Sequence, residues 1–73
     1  MKNKIDVYYP VTVYPYEIIK RAIIDYKDIC KIAVTRESHG TRCCFTRSVE
    51  DLSITGMEFS NYLVELIITQ GAK

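Results

Sequence analysis

No stretch of this sequence approaches the ~18 consecutive apolar residues that a helix needs to cross a bilayer. Met1 to Asp6 is mostly polar and the apolar stretch after it is broken by Pro10, so nothing at the start reads as a secretory signal. A charge excess is missing too: ten Lys and Arg face nine Asp and Glu, for a net charge of +1. A dedicated binder of nucleic acid or of acidic membranes would show a basic excess. The sequence holds no CxxC, and its three cysteines and single histidine do not have the spacing of a zinc site. A glycine-rich phosphate loop, a paired-carboxylate arrangement and the common catalytic motifs are all absent, so no cofactor and no enzymatic activity are expected. An odd cysteine count fits a reducing compartment better than a disulfide scaffold, and the expected location is the cytoplasm.

What is present fits one small domain. A chain of 73 residues, 48% hydrophobic and 26% charged, is long enough for one core and no more. At about 70–80 residues an isolated core begins to need help from partners or cross-links.

Ile5 to Tyr14 is rich in Val, Tyr and Ile, which favours a strand. Pro10 in its middle cannot donate to a ladder, so this strand belongs at a sheet edge or bends there. Pro15 suits the first position of a helix, and Glu17 suits its first turn. Ile18, Ile19, Ala22, Ile23 and Tyr26 recur at helical spacing, predicting an amphipathic helix from Pro15 to about Asp28. Two β-prone runs from Cys30 and Arg42 flank a polar turn, which signals a hairpin. With His39-Gly40 as its loop, Glu37 faces Arg42, Val34 faces Phe45, and Ile32, Val34, Cys43 and Phe45 share the apolar face. Thr55 and Glu58 have the spacing of a capping box. They open a last helix with Phe59, Leu63, Leu66, Ile67 and Tyr62 on its apolar side, and Gly71 is a fitting stop.

The predicted fold class is α+β with βαββα order: a three-stranded sheet with two helices on one face, ferredoxin-like but lacking the last strand. The missing strand would leave the first one at an open edge, where another chain can pair. Tyrosine, enriched at contact surfaces, gathers on that segment. Tyr8, Tyr9, Val11 and Val13 are therefore the expected contact residues, with the chain itself or another protein or peptide as partner.

Two other readings compete. Lys31, Arg36, Arg42 and Arg47 cluster along the hairpin and offer a basic patch to nucleic acid, although the polar sheet face is expected to lack the aromatics that stack on bases. Cys44 beside Arg42 has the setting of a redox thiol, against the plainer reading of Cys43 and Cys44 as packing residues. His39 fits a turn position next to Gly40, and nothing completes a catalytic triad around it.

The run Tyr14-Pro15-Tyr16-Glu17-Ile18-Ile19-Lys20-Arg21-Ala22-Ile23-Ile24-Asp25-Tyr26 resembles the start of the HxsD-like small proteins, the D component of the His-Xaa-Ser peptide system. Phe59-Ser60-Asn61-Tyr62-Leu63 is similar to the element that opens that family's last helix. The resemblance spans about residues 5–67 and implies an accessory, non-catalytic partner of a peptide-modifying enzyme. It supplies no catalytic residue.

Overall fold

The computed structural model describes residues 4–71. In chain order they form β1 (Lys4–Pro10), α1 (Tyr16–Asp25), β2 (Lys31–Glu37), β3 (Gly40–Thr46) and α2 (Leu52–Gly71). The sheet order is β1-β3-β2 with both pairings antiparallel. This is the split βαβ of ferredoxin-like folds, and the fourth strand of that fold would lie against β1. No helix among the described residues is long and apolar enough to cross a membrane.

The first strand ends at Pro10, four residues earlier than the sequence pattern predicts. The Pro10 carbonyl accepts the Val13 and Tyr14 amides at 3.2 and 2.9 Å. That closes a turn and carries Val11 and Val13 out of the sheet. Helix α1 is also shorter than its apolar stripe. Pro15 sits outside it as an extended cap residue (φ −60°, ψ 143°). At the other end Tyr26 to Ile29 form tight turns, with the Lys27 amide on the Ile24 carbonyl at 3.4 Å. Three-residue bonds of this kind commonly finish a helix.

The hairpin register differs from expectation by two residues. Glu37 pairs with Gly40, Val34 with Cys43 and Ile32 with Phe45, so the loop is Ser38-His39. A shift of two preserves which side each residue faces, and Ile32, Val34, Cys43 and Phe45 still share the helix-covered side. Glu37 and Arg42 now meet diagonally, with Arg42 Nε donating to Glu37 Oε2 at 2.8 Å. Among the described residues only Arg47 has a positive φ, at 50°, so the Ser38-His39 turn is not one of the primed types usual in short hairpins. Gly40 belongs in the sheet because β1 crowds it. A Cβ there would stand 2.6 Å from the Tyr9 carbonyl oxygen and 2.7 Å from the Tyr8 ring.

Helix α2 starts one turn before Thr55, which corrects the expected capping box. Asp51 is the cap: its Oδ1 accepts the Ser53 amide at 2.8 Å, and its carbonyl accepts the Thr55 amide at 2.9 Å. Aspartate is as good a cap as threonine. The earlier start buries Thr55, whose hydroxyl hydrogen-bonds Ser48.

The core lies between the sheet and the helices. Ile19 and Ala22 of α1 and Phe59, Leu63 and Leu66 of α2 pack against Tyr9, Cys43 and Phe45. Phe59 is its hub, with ring centroids 5.2 Å from Phe45, 5.2 Å from Tyr26 and 6.2 Å from Tyr9. Burial pushes the Cys43 thiol up to about 11 and the Tyr9 phenol up to about 12, the latter against a hydrogen bond to Ser60 that pulls it down. Both groups are held protonated in the fold. Their contribution is complete below their ordinary values of 9.0 and 10.0. It is lost as pH rises through the folded values. Circular dichroism is expected to show cooperative unfolding between pH ~9 and ~12, at higher pH in Tyr9→Phe, which has no phenol to ionise at that position.

Candidate interaction surface at the β1 edge

The order β1-β3-β2 leaves β1 and β2 as the two edges of the sheet. Ladder bonds alternate along an antiparallel strand. The Val11 amide donates to the His39 carbonyl at 3.0 Å, and this bond sets the phase. Odd-numbered residues of β1 turn their main-chain groups toward β3, while those of Asp6, Tyr8 and Pro10 point outward. The proline thus falls where its missing N–H costs no bond to β3.

Beside this edge runs an open groove of about 490 Å³ lined by Ile5, Val7, Ser53, Gly56, Met57 and Asn61, among others. One wall is β1 and the other is the first half of α2. Gly56 helps to make the room, since a Cβ on it would meet nothing within 4 Å. Ser60, also on this wall, donates to the Gly56 carbonyl at 3.0 Å and pairs with the Tyr9 hydroxyl at 2.8 Å. The Tyr9–Ser60 bond ties β1 to α2 beside the groove. On the β2 edge, Arg36 is drawn over the Tyr16 ring, 4.1 Å from its centroid.

The expected contact residues fall into three places. Tyr8 stays on β1 and is partly exposed, with the Arg42 guanidinium 5.2 Å above its ring. Val11 and Val13 are 48% and 56% exposed, but they sit in the turn after the strand. Tyr9 is 3% exposed, so its side chain belongs to the core and only its main chain lies along the strand. The groove side of the edge, with Met57 and Gly56, is absent from the sequence expectation because β1 and α2 lie far apart in the chain.

The basic residues do not converge. Arg42 points to the open sheet face, where it is bound to Glu37. Arg36, one strand away, alternates to the helix-covered side and stacks on Tyr16. Lys31 and Arg47 lie at the far end, where with Lys27 they line a shallow depression of about 470 Å³ that also holds Asp28, Ile29 and Val49. The open sheet face does carry an aromatic, Tyr8, contrary to the expectation that it carries none.

The cysteines lack the electrostatics of an activated thiol. Cys44 lies opposite Asp6. Its hydrogen bond to that carboxylate, then burial, push the thiol pKa up, whereas the expected influence of Arg42 would lower it. A reactive thiolate needs the opposite shift. Cys30 is buried and donates to the Thr46 carbonyl at 3.2 Å. No group of His, Cys, Asp and Glu among the described residues is placed to hold a metal ion. Compared with known proteins, the chain matches no family model, no curated protein and no solved structure.

Proposed function

We propose that this chain is a non-catalytic interaction module that takes an extended segment of another protein, or of a second copy of itself, as a fourth strand along β1. The carrying observation is the juxtaposition at that edge. Outward main-chain groups at Asp6 and Tyr8 lie beside a groove with Ile5, Val7 and Met57 on its walls. Strand addition draws affinity from main-chain bonds and specificity from pockets that take alternate side chains. The groove is such a pocket for the residues of an incoming strand that face the helices. An accessory role of this kind agrees with the resemblance to HxsD-like proteins.

Asp6→Pro isolates the edge. It removes one outward donor from an exposed position and leaves the main-chain bonds to β3 in place. Peptides selected from a displayed random library on the wild-type protein are expected to lose at least about tenfold in affinity for Asp6→Pro, with the helical signal intact. Their binding should change little between low and high salt, whereas nucleic-acid binding through Lys31, Arg36, Arg42 and Arg47 would weaken steeply. Equal affinity for wild type and Asp6→Pro would remove the edge reading.

A further inference from the structure

Helix α2 is apolar on two faces. One packs into the core through Phe59, Leu63 and Leu66. The other carries Ile54, Met57, Val64 and Ile68 into solvent, with Met57 68% and Ile68 63% exposed. Together with exposed Asn61, these residues occupy positions 54, 57, 61, 64 and 68. Steps of three and four in alternation are the a and d positions of a heptad seam, with Ile54, Asn61 and Ile68 at a and Met57 and Val64 at d. The seam spans about 21 Å at 1.5 Å per residue.

We infer that this seam pairs with the same helix of a second copy, side by side and in parallel register. Asn61 identifies the occupant. It stands at the central a position, and a buried amide needs both a donor and an acceptor opposite it. The equivalent Asn61 of an in-register copy supplies both, whereas an apolar partner helix would leave the amide unpaired. A lone asparagine at an a position is a device that fixes register and strand number in coiled coils.

The flanking charges select the orientation. Glu58 and Glu65 take the e positions, Ser53, Ser60 and Ile67 the g positions, and α2 contains no lysine or arginine. In a parallel pair each Glu faces a serine of the other copy. In an antiparallel pair Glu58 and Glu65 of the two copies would face each other and repel. The helix is already folded against its own sheet, so association does not have to supply the cost of forming it. Two heptads are a short seam, and the expected dimer dissociates at tens of micromolar.

Met57 and Asn61 also border the groove beside β1, so the variants that disrupt the seam are placed away from it. Sedimentation equilibrium of the full chain from about 1 to 500 µM is expected to show a monomer–dimer equilibrium. Val64→Glu and Ile68→Glu, both at exposed positions, should each raise the dissociation constant at least about 100-fold with unchanged circular dichroism. Asn61→Leu should tighten association about tenfold or shift it to a higher oligomer. Asp6→Pro should leave the dimer unchanged, which separates the seam from pairing through β1. A monomer throughout the range would overturn the inference. So would a dimer dissolved by Asp6→Pro but not by Val64→Glu. A tenfold tightening in Glu58→Lys would show an antiparallel pair and overturn the parallel register.

Discussion

Phe59→Ala is expected to remove a large share of the stability of this domain, about 3–5 kcal/mol. The ring is fully buried and joins otherwise separate parts of the chain. It contacts Phe45 in the central strand, Tyr26 at the end of α1 and Tyr9 on the edge strand. Truncation removes its burial and leaves a cavity whose aromatic walls are held by three different elements, so the site collapses poorly. A domain of this size has only about 4–11 kcal/mol in total. Urea unfolding should therefore show a midpoint well below that of the wild type, or a broad non-cooperative transition. Phe59→Leu, which keeps most of the volume, should cost under about 2 kcal/mol. A loss below about 1 kcal/mol in the alanine variant would mean that Phe59 is not the hub of the core.

Gly40→Ala is the second large effect, and it acts by crowding. The added methyl would stand 2.6 Å from the Tyr9 carbonyl oxygen and 2.7 Å from the end of the Tyr8 side chain. Tyr8 is partly exposed and can swing away. The Tyr9 oxygen is main chain and moves only if β1 shifts off β3. The expected cost is about 1–3 kcal/mol, which lowers Tm by about 4–8 °C per kcal/mol in a domain of this size. Calorimetry of the double variant Tyr8→Ala/Gly40→Ala separates the two contacts. The second substitution should not restore Tm if the carbonyl is the obstacle. Full recovery would place the clash on the tyrosine ring instead.

Gly40 also shows where local sequence signals mislead. A glycine beside histidine between two β-prone runs reads as a loop residue, because loops are where glycine's conformational freedom is most often needed. Here its φ is not positive, and the lack of a side chain is needed for contact with a strand more than 30 residues earlier. Thr55 is a similar case. It has the spacing of a capping residue, yet Asp51, one turn earlier, takes that role and Thr55 turns inward to Ser48.

The sheet was more legible, because strand alternation survives a register shift of two. Ile32, Val34, Cys43 and Phe45 keep their face, and Pro10 marks an edge strand. Strand order follows from the split βαβ arrangement, in which β3 inserts between the parallel strands β1 and β2. The candidate site was legible only on its strand side. Tyr8 and the outward main chain belong to a local pattern, whereas Met57 and Gly56 reach the edge through packing between β1 and α2. The heptad seam from Ile54 to Ile68 is present in the sequence, but it overlaps the core stripe of Phe59, Leu63 and Leu66. The two stripes separate only when the helix is seen to begin at Leu52.

Amide hydrogen exchange at Asp6 and Tyr8, with and without a library-selected extended peptide, tests strand addition most directly. In the free protein these outward amides should exchange as solvent-exposed groups, while the inward amides of Val7 and Tyr9 are protected by β3. Bound peptide is expected to slow Asp6 and Tyr8 by at least about tenfold and to change Val7 and Tyr9 little. A peptide that binds while Asp6 and Tyr8 exchange as fast as before would contradict strand addition at β1.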